Sequence, residues 1–427
     1  MRRLYTLMWW LALPLVLGRL WWRGRQEPGY RLHWNERLGL YGPRAANDEP
    51  ATIWVHAVSV GETRASEPLV EALLKRYPQA RIVLTCMTPT GRATGKSLFG
   101  KHGARVVQSY LPYDMPSLVG RFIRHFEPRI CILMETEVWP NLILQCQRDK
   151  VPVVLANARL SERSLRKAHR FGQLMRDAAQ GISLVAAQTE GDALRIRELG
   201  VENVGITGSI KFDVSIPPAA LETGALLRRQ FGERPVFLCA STREGEEGMI
   251  LEAFQRGRAL LPANVLLLIV PRHPQRFDEV AAMVAERGLT LQRRSELAAP
   301  DASVAPATDV VLGDSMGEMF AYYASCDVAF IGGSLQPLGG QNLIEPAALG
   351  KPIIVGEHTF NFLQATEDCL HQGGAVRVHT SDALVQEAGR LLADDTARAT
   401  MGINALTFAN THRGATVRTI ELLPPLK

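Results

Sequence analysis

The sequence predicts an α/β chain of two tandem domains, each a parallel sheet covered by helices on both faces, preceded by an apolar N-terminal helix. Three observations carry this. Short continuous apolar runs alternate with helical segments through most of the 427 residues, the pattern of parallel strands buried on both sides. The alternation breaks once, over residues 201–235, where a Pro-Pro pair stands and no long apolar run does. The length also exceeds what one ordinary core holds.

The elements follow in order. Residues 4–17, LYTLMWWLALPLVL, carry no charge, with Arg2 and Arg3 before them and Arg19, Arg23 and Arg25 after. A cleaved signal peptide needs a small-residue site, which is not convincing here, and Trp9, Trp10, Trp21 and Trp22 are unusual in one. A spanning helix needs about 20 apolar residues, so Arg19 would have to snorkel. An interfacial anchor would set the tryptophans at headgroup level and the arginines against anionic lipid. Membrane attachment over residues 1–25 is therefore expected, in spanning or interfacial form, with a plain buried helix as the alternative. The body is then expected at the cytoplasmic side.

A basic linker, GYRLHWNERLGLYG, leads into a first domain expected over residues 26–208. Its strands are ATIWVHAVSV, ARIVLTCM, ARVVQSYLP, PRICILME, VPVVLANA and ISLVAAQ. SEPLVEALLKRYP reads as a helix ending at Pro78, and TPTGRATGKSLFG as a glycine-bearing turn into another. Residues 209–234 read as an interdomain link with an entry helix. PVFLCAST, NVLLLIVP, ATDVVLGD, CDVAFIGG and KPIIVGE are the strands of a second domain over residues 235–405. Residues 406–427 close the chain as a helix able to pack back on the first domain. Two such domains would place a ligand crevice between their strand C-termini.

Hydrophobic content of 46% with 21% charged residues fits a globular chain. A net charge of +5 is too mild for a nucleic-acid binder and fits an anionic substrate or membrane surface. The six cysteines, Cys86, Cys131, Cys146, Cys239, Cys326 and Cys369, form no C-x-x-C pair and read as reduced, buried thiols rather than zinc ligands. No P-loop and no Asp-x-Asp pair is present, so no metal and no cofactor is expected.

Chemistry gathers at strand tips. WVHAVSVGET delivers Glu62 just past a strand, flanked by Ser59 and Gly61; its alternative is an ordinary first-turn helix acid facing the dipole. LMETEVWPNLI places Glu135 and Glu137 at another tip, as sugar ligands or as solvated caps. NARLSERS puts Arg159 and Arg163 after a strand, and TGSIKFDV carries Lys211 in the link. In the second half, GGSLQPLGGQNLIEPAALGKPIIVG crosses a glycine-rich loop into a helix expected near Gln341. Gly339 and Gly340 admit close backbone approach, the helix would aim free N–H groups at a phosphate, and Asn342 and Glu345 would share a face suited to ribose hydroxyls. Arg272 and His273, between Pro271 and Pro274, suit a phosphate or carboxylate. Met316 and Gly317 could present apolar surface and an N–H to a base. A capped glycine turn, a structural histidine and surface solvation are the bland alternatives.

In this order, VHAVSVGE, METEVWPN, NARLSERS, GSIKFD, PRHPQRF, GDSMGE and GGSLQPLGGQNLIEPA resemble the 3-deoxy-D-manno-octulosonic acid (Kdo) transferases over nearly the whole chain. The resemblance implies a GT-B architecture of two Rossmann-like domains facing a cleft. It implies inverting, metal-independent transfer of Kdo from CMP-Kdo to a lipid A precursor at the cytoplasmic face of the inner membrane. It assigns Glu62 as catalytic base and Glu135 or Glu137 to sugar or acceptor. It sets Lys211 near the cleft, and Arg272, Met316, Gly317, Asn342 and Glu345 at CMP. Ser209 departs from the family, which commonly has asparagine there. On this reading Glu62 should titrate above a solvent glutamate if a closed cleft desolvates it, and Arg64, Arg92 and Lys96 could meet acceptor phosphates. A UDP-sugar-dependent lipid glycosyltransferase, a nucleotide-sugar 2-epimerase and a non-catalytic nucleotide-sugar binding protein are the competing readings.

Overall fold

The computed structural model describes residues 1–42 and 50–426, which form two compact units: Met1–Asp213 with Arg413–Lys427, and Val214–His412. Each unit is built on one seven-stranded sheet, parallel throughout.

In the first unit the strands are β1 (Thr52–His56), β2 (Arg81–Cys86), β3 (Val106–Tyr110), β4 (Pro128–Met134), β5 (Val153–Ala158), β6 (Leu184–Ala187) and β7 (Val204–Ile206), in spatial order β3-β2-β1-β4-β5-β6-β7. The order reverses between β1 and β4. Such a switch point opens a crevice beyond the strand C-termini, because the connections leave the two strands in opposite directions. Successive side chains of β1 face opposite cores: Ile53 and Val55 enter one cluster, Trp54 the other. All three are fully buried, so period-2 alternation of polarity is absent, as a sheet covered on both faces requires. Burial of each contributes roughly 1.5–3 kcal/mol.

The segment expected as a basic linker is part of this unit. Arg37 is 1% exposed. It donates to the Met87 carbonyl at 3.0 Å and lies 3.8 Å over the Tyr110 ring. Glu36 accepts from Tyr110 N at 2.8 Å and pairs with Arg92, so Arg92 is neutralised rather than offered to an acceptor phosphate. The glycine-bearing turn after β2 is also helical, since Pro89–Phe99 is one helix capped by Thr88. At the far end, Asp213 caps the helix Ala415–Leu422 by accepting from Gly414 N at 2.6 Å and from Thr416 N.

The N-terminal helix, Arg2–Arg23, is long and apolar enough to cross a membrane. One side of it packs on the unit through Trp9, Leu13, Val16, Leu17 and Leu20, against Tyr113, Met115 and Leu118. Tyr5 donates to the buried Asp114 at 2.9 Å. Leu4, Leu7, Met8, Trp10, Leu11, Leu15, Trp21 and Trp22 remain exposed.

The second unit holds β8 (Val236–Thr242), β9 (Leu266–Pro271), β10 (Leu291–Arg293), β11 (Val310–Leu312), β12 (Val328–Ile331), β13 (Ile353–Val355) and β14 (Ala375–Arg377), in order β10-β11-β9-β8-β12-β13-β14. Its switch point lies between β8 and β12. All six cysteines are buried and free.

Candidate active site

The first unit gathers acids at its switch point. After β1 the chain runs through Ser59, the N-cap of the helix Val60–Ala65. Glu62 sits in that helix's first turn, and its carboxylate turns back to accept from Val58 N at 2.7 Å. Burial pushes Glu62 up to about 7. The Val58 N–H opposes this, Glu137 and Glu135 raise the value further, and Lys211 lowers it. Burial within its own unit is therefore enough, without the closed cleft the sequence reading invoked. Gly61 is not a hinge: it lies inside the helix at ordinary φ, and a Cβ there would meet nothing nearer than Ser59 Oγ at 3.9 Å. The first-turn alternative thus describes where Glu62 sits, while its burial and acidic neighbours separate it from an ordinary cap.

Across the switch point, Glu135 follows β4 directly with φ of 57°, outside the usual range for a side-chain-bearing residue. It pairs with Lys211 Nζ at 2.8 Å. Burial also raises Glu137, opposed by the nearby Trp139 indole and with Glu135 adding to the rise. Lys211 lies on the turn Ile210–Phe212, which is fixed by a residue the sequence reading passed over. Asn157, buried at φ 53°, accepts from Ile210 N at 3.1 Å; asparagine is among the few residues that tolerate that φ. The unit therefore brings together Ser59, Glu62, Glu135, Glu137 and Lys211. It does not bring in the side chain of Arg159, which is exposed, only its backbone N–H reaching the Glu135 carbonyl at 3.4 Å.

The second unit sets cations and glycines around its own switch point. Arg272 and His273 follow β9, both exposed, with Arg272 N held by the Thr242 carbonyl at 2.9 Å. His273 is lowered by partial burial and by Arg243, Arg272 and Arg276. After β12, Gly332 passes the end of β8 so closely that a Cβ would lie 2.6 Å from the Ser241 carbonyl. Gly339, at φ 92°, leaves room for Asn361, which a Cβ would meet at 2.4 Å. Gly340 N closes the loop onto the Gly333 carbonyl at 2.7 Å. The helix expected near Gln341 starts at Ile344 and runs only to Ala348. Asn342 stands before it, accepting from Ile344 N at 3.0 Å and donating to Glu345 at 3.1 Å. The amide–acid pair is present, but Asn342 lies outside the helix, one residue before its N-cap Leu343, so the pair is not two members of one helix face. Met316 is 57% exposed and Gly317 adopts φ 83° after β11, separated from the glycine loop by β9 and β8.

The sequence reading missed the residues that tie these loops together. Glu246, fully buried, accepts from Gly333 N at 2.5 Å, Leu335 N at 3.0 Å and Arg243 N at 3.0 Å. Glu247, also fully buried, binds Arg276 at 3.1 Å and Thr242 at 3.1 Å. One acid thus holds the loop after β12 and its neighbour the loop after β9. The signal was present in REGEE, an acid pair entering a helix straight after a strand.

The sequence model of the family described as 3-deoxy-D-manno-octulosonic-acid transferase (kdotransferase) matches residues 32–214. The chain is 45% identical to a 3-deoxy-D-manno-octulosonic acid transferase of Bordetella pertussis, over 99% of this chain and 98% of that one. It is 39% identical to the corresponding protein of Haemophilus influenzae, again over 99% and 98%. Among solved structures it resembles the UDP-GlcNAc 2-epimerase of Neisseria meningitidis bound to UDP-GlcNAc, with a TM-score of 0.58 over 87% of this chain and 98% of that one. At 14% identity that likeness shows a shared two-domain fold and nothing of the reaction.

Proposed function

This chain belongs to the Kdo transferase family, and from that premise we propose how it moves Kdo from CMP-Kdo to a lipid A precursor. It is a glycosyltransferase of lipopolysaccharide biosynthesis, with the two Rossmann-like units of the GT-B class. A hydroxyl of the acceptor sugar attacks the anomeric carbon of Kdo. The bond to the phosphate oxygen breaks on the opposite side, CMP leaves with the electron pair, and the anomeric configuration inverts. Glu62 takes the hydroxyl proton. A carboxylate near pH 7 suits that task, since it is ionised often enough to act and basic enough to accept. Lys211, paired with Glu135, limits how far Glu62 rises and offers a donor to sugar oxygens. Glu137 supplies a second acid to the same pocket. In the second unit, Arg272 meets the charge that grows on CMP, Asn342 and Glu345 meet the ribose, and Met316 and Gly317 the base.

The observation that carries the reading is the buried Glu62, pushed up to about 7 beside Glu135, Glu137 and Lys211. The N-terminal helix supports an acceptor held in a membrane. Its exposed leucines and tryptophans, flanked by arginines, suit the interface of an anionic bilayer, so the protein would work at the cytoplasmic face of the inner membrane. Donor competition tests the assignment. The enzyme should transfer Kdo from CMP-Kdo, generated in situ, to a tetra-acylated lipid A precursor, and no sugar from UDP-GlcNAc or UDP-glucose. Transfer from a UDP-sugar alone, or conversion of UDP-GlcNAc to its 2-epimer, would overturn it.

A further inference from the structure

We propose that Arg243 is a second anion-binding residue of the donor site, gripping an anionic oxygen group of the CMP-sugar beyond those already met by Arg272. The inference rests on the donor reading above, because a CMP-linked ulosonic acid carries two such groups, a phosphodiester and a carboxylate. One arginine and a five-residue helix are thin provision for both.

The geometry converges on Arg243. It is the first residue after β8, the strand on one side of the switch point, and its neighbours in the sheet are β9 and β12. The strand end is distorted there: pairing with β9 slips between Ala240 and Thr242, and Ser241 adopts φ 55°. Bulges and strained φ values at a strand tip re-aim the side chains that follow. The backbone of Arg243 is then pinned, its N–H bound by Glu246 at 3.0 Å. The same carboxylate holds Gly333 and Leu335 of the opposite loop, which fixes the arginine against the glycine loop. Its side-chain Cγ lies 3.5 Å from where a Gly333 Cβ would sit.

Its charge is not spent within the fold. Among the described residues, no acid pairs with the Arg243 guanidinium, although the side chain is partly buried. Arg276, by contrast, is bound by Glu247 and Glu279. Glu246 makes no ion pair with the guanidinium; its oxygens accept from three backbone N–H groups. Arg243 lies close enough to His273 to act on it together with Arg272 and Arg276, so an anion arriving there meets a cluster of positive charge. The nest of N–H groups at Gly333 and Leu335, which could itself bind phosphate, is already filled by Glu246. The donor's charge must therefore be met by side chains around the nest, and Arg243 is the one that leans against it.

The test uses the full-length protein with Arg243→Gln and Arg243→Lys. Affinities for CMP and for cytidine are measured by calorimetry, and KM and kcat with CMP-Kdo generated in situ. A lost charge-assisted contact weakens binding by about tenfold to a hundredfold. If the arginine grips the phosphate, Arg243→Gln weakens CMP by that factor and leaves cytidine unchanged. If it grips the sugar carboxylate, CMP is unchanged and KM for CMP-Kdo rises by that factor at similar kcat. In either case Arg243→Lys should recover part of the loss. Unchanged CMP affinity and unchanged KM would overturn the proposal, and so would an equal loss of cytidine binding, which marks a collapsed loop. Failure of the donor reading has its own signature, a wild type that binds neither CMP nor CMP-Kdo, and the proposal falls with it.

Discussion

Glu62 in the first unit and Glu246 in the second make an instructive pair. Both sit in the first turn of a helix after the first strand of their sheet, beside the switch point, and burial raises both. Their partners differ. Glu246 is fully buried and accepts three backbone N–H groups from two loops. Glu62 accepts one, from Val58, and faces two further acids. A buried carboxylate with its lone pairs filled is a fastener. One left short of donors among like charges holds a proton loosely near neutral pH, which is what a base for a sugar hydroxyl needs. On the proposed function, the same residue type at equivalent sheet positions serves chemistry in one unit and loop architecture in the other.

The contrast breaks most sharply under substitution. Glu62→Gln should lower kcat by roughly 10²–10⁴ with the fold intact, read by single-turnover transfer and circular dichroism; an intact variant with unchanged turnover would sink the assignment of the base. Glu246→Gln should behave in the opposite way. It sets an NH2 group against backbone donors and costs about 1–3 kcal/mol of stability, seen in urea unfolding, together with weaker CMP binding. A Glu246→Gln protein as stable as wild type would remove the fastener role.

pH sharpens the same comparison. The folded value of Glu62 lies above its ordinary 4.5, at about 7. Its protonated form therefore favours the fold below pH 4.5, and that contribution is lost as pH rises through 7. Relative to wild type, Glu62→Gln should gain stability between those values, measured as the difference in melting temperature at pH 4.5 and pH 8. The activity of the wild type should fall on the acid side of about pH 7. Lys211→Met should move that limb to higher pH, because Lys211 lowers Glu62; a limb that stays put would separate Lys211 from the base. The smallest effect is expected at Ser59. Its Oγ accepts from Glu62 N at a long 3.5 Å, so Ser59→Ala should cost only about 0.5 kcal/mol.

How far the sequence could be read follows the same physics. Strands buried on both faces, such as β1, β4 and β9, are visible as unbroken apolar runs. The short strands β7, β10 and β14 are not, because each is only three residues long and mostly half-buried, too short to show an apolar run. Glu62 stood out because it ends an apolar run. Glu246 and Arg243 did not, because REGEE has the composition of a solvated turn and only the two sheet neighbours reveal that it is enclosed. The late start of the helix after Gln341 was hidden for a similar reason. Gly339 and Gly340 hold positive φ, and the Asn342 side chain accepts from Ile344 N in a local turn, so the loop runs on to Leu343.

The most direct test of the central claim is one transfer experiment, with CMP-Kdo and tetra-acylated lipid A precursor, wild type and Glu62→Gln side by side, read by mass spectrometry. The account predicts added Kdo with the wild type and a loss of at least a hundredfold in the variant. Kdo transfer by the variant at the wild-type rate, or no transfer by a folded, membrane-competent wild type, would contradict it.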